Sequence, residues 1–399
     1  MANSQRKNQA DIYRPVGPKL ISTVTFTSGG SFNLAQQVDL SLPLQAFRFV
    51  LAGRLVVGTS GVATTSPEGF LNLISNITIQ GTNARQKGNV TLWNMDAATA
   101  WGIQHLCSPK RAGFYSINAN GGLGEVQTTE PSTPWPTDNN PTGSTGTYDF
   151  RVVLDLPLHP FASQYMGNHP HWVPAYLMRN EEWKDSVQIS GSFPTITNGA
   201  VAGPFGTGAA GTTYTFTAYG SGAGSPSLTI YSIPDIMGLD LKDTVLPGVL
   251  TRVATNVNAS TLTAAGAAVV LLNMQKQPTT RVFVKSGAGT APPTFASLND
   301  TNITAAGILL GANRNVRNVV DIYAHKQLEA ATYERNQIQG YFMFDFMESG
   351  NPDSAYPGQQ IGDGSTFQLT ANVAGLANAL GTVVQEQTLH TPTGSLYTF

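Results

Sequence analysis

One stretch of this chain occurs twice, and any fold for the whole must accommodate both copies. The first runs Ile77-Thr78-Ile79-Gln80-Gly81-Thr82-Asn83, continues through Lys87 and Val90-Thr91-Leu92-Trp93, and enters an Ala-containing segment at Asp96-Ala97-Ala98. The second runs Ile308-Leu309-Leu310-Gly311-Ala312-Asn313, then Arg317 and Val320-Asp321-Ile322-Tyr323, into Leu328-Glu329-Ala330. One ungapped shift of 230 residues sets Gly81 on Gly311, Asn83 on Asn313, Lys87 on Arg317, Leu92 on Ile322 and Trp93 on Tyr323. Each copy reads as a strand, a Gly-Asn turn, a second apolar run and a helix. Gly81, Asn83, Gly311 and Asn313 are the turn residues, because glycine and asparagine tolerate positive φ. Two β-rich halves could share such turn chemistry by chance. A duplication would instead demand two units of like architecture.

The rest of the chain is built of short strands. Leu20 to Thr27, Phe32 to Leu34, Val38 to Leu40 and the run Phe47-Arg48-Phe49-Val50-Leu51 through Val57 are β-branched or aromatic runs separated by Gly, Ser and Pro. Their spacing of roughly 8–12 residues suits a sandwich or barrel and not strand-helix-strand units. Helices are expected over about 94–106 and 323–337. Between 107 and 146 lies a long Gly-, Pro- and Thr-rich loop region, a length that usually marks a functional projection. The segment Tyr341-Phe342-Met343-Phe344-Asp345-Phe346-Met347 is the most apolar strand and is expected to be buried on both faces. A connector at 234–248 separates the halves.

A chain of 399 residues exceeds one ordinary core and suits two domains. Charged residues make up only 12%, about half the usual share of a soluble domain, and none of Asp, Glu, Lys, Arg or His occurs from Ser186 to Pro234. A long exposed surface without charge invites association, so this stretch is expected to sit against other subunits. The net charge of −2 argues against a dedicated nucleic-acid binder. A single cysteine, Cys107, excludes an intrachain disulfide, and no apolar run of membrane-spanning length is present. Residues 1–19 read as a basic arm: Arg6, Lys7, Arg14 and Lys19 oppose only Asp11. It is either a frayed terminus or an arm that orders on a neighbour, an anionic lipid surface or packaged nucleic acid.

Motifs for chemistry are weak. Gly206-Thr207-Gly208-Ala209-Ala210-Gly211 has the glycine spacing of a dinucleotide loop, but a Thr-rich alternating strand follows where a helix N-terminus is required. His169 and His171 flank Pro170 without a carboxylate or cysteine at ligand spacing, so a packed loop is the better reading. Glu348, Asp353 and Asp363 could supply a carboxylate pair for glycoside cleavage, but a polar loop is the simpler account. No Gly-x-Ser-x-Gly elbow occurs. No cofactor is expected, nor any enzymatic activity.

The repeat around Gly81/Asn83 and Gly311/Asn313, with the late run from Tyr341 to Met347 through Gly362-Asp363-Gly364 to Leu369, resembles the double jelly-roll major capsid proteins of tailless icosahedral viruses, the tectivirus-like phages above all. The resemblance covers the chain in architecture and carries no single diagnostic signature. It implies an all-β fold of two tandem eight-stranded jelly rolls with one short helix each and long loops. The arm would be residues 1–19, the first jelly roll 20–235 and the second 236–399. It further implies a homotrimer forming a pseudo-hexagonal capsomer, neighbouring capsomers, vertex (penton) and minor capsid proteins, and an internal lipid membrane that the arm would face. The loop 107–146 and the uncharged 186–234 would supply towers or trimer contacts. The location implied is the virion capsid, assembled in the host cytoplasm, with no nucleic-acid sequence recognised. The alternative is a β-sandwich glycan-binding module or phage fibre protein, with Trp135 or Trp172 as an aromatic platform.

Overall fold

The computed structural model describes residues 18–37, 44–58, 62–65, 68–83, 88–107, 145–158, 183–198, 202–203, 206–208, 212–234, 249–256, 266–272, 279–288, 297–298, 302–310, 314–319, 321–322, 324–326, 328, 340–345, 367–373 and 379–391. The first half opens with β1 (Lys19–Thr25), β2 (Ser31–Gln37), β3 (Leu44–Gly58) and β4 (Val62–Thr65). A 3-10 turn over Gly69–Leu73 leads into the hairpin β5 (Asn76–Asn83) and β6 (Gly88–Met95), then helix α1 (Ala97–Cys107). There follow β7 (Gly146–Pro157), β8 (Trp183–Ser192), the short β9 (Ala202–Gly203) and β10 (Gly206–Gly208), β11 (Thr213–Thr217) and β12 (Ser227–Pro234). The second half holds β13 (Val249–Asn256), β14 (Gly266–Leu271), β15 (Thr279–Ala288), β16 (Ser297–Leu298), β17 (Ile303–Leu310), β18 (Arg314–Val319), β19 (Tyr341–Asp345), β20 (Phe367–Val373) and β21 (Ala379–Thr391).

The pairing order shows a duplication more clearly than residue identity does. In the first half β1, β12, β3 and β7 pair in that order, and β2, β8, β5 and β6 form the facing set. In the second half the orders are β13-β21-β15-β19 and β14-β20-β17-β18. In both halves the first, last, third and sixth of the eight principal strands make one sheet, and the second, seventh, fourth and fifth make the other. This is Greek-key connectivity, in which a closed sandwich shelters its edges. The two sandwiches share one continuous sheet, because β6 pairs in parallel with β13 through Trp93↔Ala254 and Asn94↔Thr255.

The repeated stretch occupies the same place in both halves, a hairpin followed by a helix. Asp96 caps α1: its Oδ1 accepts from Thr99 N at 2.7 Å and its Oδ2 from the Thr99 hydroxyl at 2.6 Å. Asp321 accepts from Ala324 N at 3.1 Å in the same i to i+3 relation, and helical backbone follows at Ile322, at 324–326 and at Leu328. These caps are 225 residues apart, so the ungapped shift of 230 fails here. It sets Leu92, in β6, on Ile322, in the helix. Asp96 also corrects the start of the first helix. Asn94 and Met95 finish β6, and the helix begins only after the capping carboxylate has satisfied an orphan N–H. Gly81 lies within β5, paired with Val90 and Val187, and Asn83 is its last residue, opposite Gly88. Gly311 and Asn313 lie outside the described residues.

Alternation builds the walls. Along β3, Phe47, Phe49, Leu51, Leu55 and Val57 face the core, while Arg48 and Arg54 face out. Across β7, Arg48 makes paired hydrogen bonds to Asp155 at 2.6 and 2.7 Å, and Arg54 to Asp149 at 2.8 and 2.7 Å. Such partly exposed pairs are weak, and cross-strand register places them. The charge-free stretch also has a cause within the chain. β8 lies between β2 and β5, and β12 between β1 and β3, so both are interior strands. Lys19 is the first residue of β1, opposite Ser232, and so belongs to the sheet and not to an arm. Arg6, Lys7 and Arg14 lie outside the described residues, as do the strand expected at 38–40 and residues 108–144 of the loop expected at 107–146, whose ends are Cys107, the last residue of α1, and Gly146, the first of β7.

Candidate functional site

Strands β15, β19 and β21 have no solvent face in the region where they pair. Val282, Val284, Phe342, Phe344 and Val383 point into the core of the second sandwich. Their alternate neighbours Phe283, Tyr341, Met343 and Val384 join the core of the first. All five residues of β19 are buried, as expected of so apolar a strand, and the burial includes its one charged residue, Asp345.

The face turned to the first sandwich also carries buried charges. Arg281 and Asp345 are opposite one another on β15 and β19, and Arg281 is opposite Glu386 on β21. The Arg281 guanidinium donates to Asp345 Oδ2 at 3.3 Å and to Glu386 Oε1 at 3.0 Å, with all three side chains fully buried. Four residues further along β15, on the same face, Lys285 pairs with Glu68, which arrives from the first half just ahead of the 3-10 turn. Gly69, with φ of +51°, makes the turn that brings Glu68 inside. The Tyr341 hydroxyl donates to Glu68 Oε1 at 3.2 Å and lies 3.5 Å from the Ala98 carbonyl oxygen. Burial is the dominant influence on Glu68; it outweighs the attraction of Lys285 and pushes the carboxyl up to about 7, with Asp96 adding repulsion. Burial likewise raises the Tyr341 hydroxyl well above its usual range.

Helix α1 closes the seam. A Cβ on Gly102 would stand 2.5 Å from Tyr341 Cε1 and 2.6 Å from Cζ, so only glycine permits this approach. Gly102→Ala gains helix propensity of about 1 kcal/mol but forces the ring or helix aside. We expect a net loss of about 1–2 kcal/mol, read as a lower denaturant midpoint; an unchanged or raised midpoint would refute the packing account.

Among the described residues, no sequence-predicted site residue lies in this seam. His169, His171, Trp135, Trp172, Glu348, Asp353 and Asp363 lie outside the described residues. Gly206–Gly208 form a strand paired with β4 and β9, so these residues do not cradle a phosphate at a helix start. The seam charges do carry a signal in the sequence: Arg281-Val282-Phe283-Val284-Lys285 sets cations at both ends of an apolar run, and Asp345 interrupts the most apolar strand.

No family model and no curated protein matches this chain. Solved structures do. The crystal structure of the STIV major capsid protein superposes with a TM-score of 0.56 at 11% identity, covering 96% of this chain and 98% of that one. This chain has the double jelly-roll fold. A second match, from the atomic structure of Sulfolobus turreted icosahedral virus, gives a TM-score of 0.54 at 11% identity, covering 94% and 90%. PBCV-1 VP54, in the form fitted into a reconstruction of the virophage Sputnik, gives 0.51 at 10% identity, covering 95% and 94%. The double jelly roll is therefore kept at an identity where sequence comparison fails.

Proposed function

We propose that the chain is the major capsid protein of a tailless icosahedral virus, structural and not catalytic. One observation carries the reading: two jelly rolls of identical strand order, in tandem, match a capsid protein over nearly the whole of both chains. The units are residues 20–235 and 236–399, preceded by a basic segment containing Arg6, Lys7 and Arg14, with Lys19 opening the first strand. Three copies form a capsomer with six similar sandwiches around its axis, and capsomers tile the virion shell after assembly in the host cytoplasm. Vertex and minor capsid proteins, and an internal membrane facing the basic segment, complete the set of partners. The charge-poor composition supports this reading, since subunits that tile a shell cover much of their surface. No observation favours the fibre or glycan-binding alternative.

Electron microscopy of the expressed chain tests it. Full-length protein is expected to give hexagonal capsomers and, under assembly conditions, shells or sheets. A variant lacking residues 1–19 is expected to keep capsomers and lose regular shells. Normal shells from that variant would refute the role of the basic segment, and the absence of any capsomer would refute the capsid reading.

A further inference from the structure

The contact between Lys285 and Glu68 has the parts of a reactive centre. Both side chains are essentially excluded from water, at 1% and 0% exposure, and the Lys285 Nζ meets the Glu68 carboxyl directly. Each is held by rigid structure: Lys285 lies in a central strand, opposite Tyr341 and Thr382, and Glu68 sits at the head of the 3-10 turn. The Tyr341 hydroxyl donates to Oε1 of the same carboxyl at 3.2 Å, and its ring lies 5.8 Å from Nζ. Thr99 shares a side-chain hydrogen bond with Tyr341 and is itself held by Asp96 Oδ2 at 2.6 Å. Phe283 and Met343, from the same sheet face, add apolar surroundings.

We propose that Lys285 and Glu68 condense into an intramolecular isopeptide bond that joins the second sandwich covalently to the first. In a site closed to bulk solvent, transfer of a proton within the pair yields a neutral amine and a neutral acid. Burial favours the neutral form of the Glu68 carboxyl, which it pushes up to about 7. The Nζ lone pair then attacks Cδ, and the Cδ–Nζ bond forms as the carbonyl π pair moves to Oε1. The Tyr341 hydroxyl stabilises that oxyanion, as a preorganised donor does. A proton passes from nitrogen to the hydroxyl on Cδ, the Cδ–Oε2 bond breaks, and water leaves. One amine and one acid give one amide and one water, with no oxidant or cofactor. Condensation is opposed in bulk water. Here the two groups are held in contact, where effective molarities are on the order of 10⁵ M or more, and the product replaces a costly buried ion pair with a neutral amide. The inference does not depend on the capsid reading.

Intact mass spectrometry of the denatured full-length chain decides it. The expected mass is below the sequence mass by one water, about 18 Da, with a branched peptide joining Glu68 to Lys285 after digestion. Lys285→Met and Glu68→Ala should each abolish the deficit and the branched peptide. Tyr341→Phe should leave a mixture of linked and unlinked chains soon after synthesis; complete linkage at the wild-type rate would remove Tyr341 from its role. A wild-type chain of full sequence mass, or a deficit that maps to other residues, would overturn the proposal without any variant having to fold.

Discussion

Arg281→Met is expected to cost about 3–5 kcal/mol or more of stability, enough to remove most of the margin of an ordinary domain. Arg281 is fully buried and is the cation set between Asp345 at 3.3 Å and Glu386 at 3.0 Å. Methionine fills similar space but removes the buried cation that lies between Asp345 on one neighbouring strand and Glu386 on the other. The burial of those carboxylates then loses the opposite charge that compensates it. Chemical unfolding of the purified chain would show this as a large fall in midpoint, or as loss of soluble protein. Replacing Arg281, Asp345 and Glu386 together by Met, Leu and Leu should recover much of the loss, since an apolar trio of similar volume needs no counterion. A shift below about 1 kcal/mol for Arg281→Met would mean that the seam charges are solvated and that the two sandwiches do not enclose them.

Phe344→Asp is expected to abolish folding of the second sandwich. Phe344 is 1% exposed, packs edge-on against Phe342 at 5.9 Å between ring centres, and stacks with His325 at 6.0 Å. The substitution opens a cavity costing about 3–5 kcal/mol and also buries a carboxylate. His325 is engaged elsewhere, with its Nε2 at 2.9 Å from the Met343 carbonyl oxygen. Circular dichroism and soluble yield would report the loss. A soluble, cooperatively unfolding variant would contradict the assignment of β19 as the strand between two cores.

The apolar run at 341–347 was legible as a strand covered on both faces because no polar residue interrupts it before Asp345. What covers each face was not, since that depends on long-range pairing: alternate side chains enter different sandwiches, a division invisible in an unbroken apolar string. The duplicated hairpin and helix were legible as elements, but their alignment was not. Gly81 and Asn83 suggested a turn, yet Gly81 pairs inside a strand, and the capping carboxylates Asp96 and Asp321 carry the equivalence. Glu68 was the least legible residue. It follows Pro67 in a Gly- and Ser-rich segment that reads as an exposed turn, and only Gly69 at positive φ and the arrival of Lys285 from the other half make it interior. The uncharged 186–234 stretch reads as a surface covered by neighbours; within the chain, its β8 and β12 segments are interior strands of their sheets.

The most direct test of the capsid account is the native mass of the purified chain by light scattering after size exclusion. The account predicts a stable species near three times 42.3 kDa, or larger assemblies built from it. A species that stays at 42.3 kDa across concentrations and assembly conditions would contradict it.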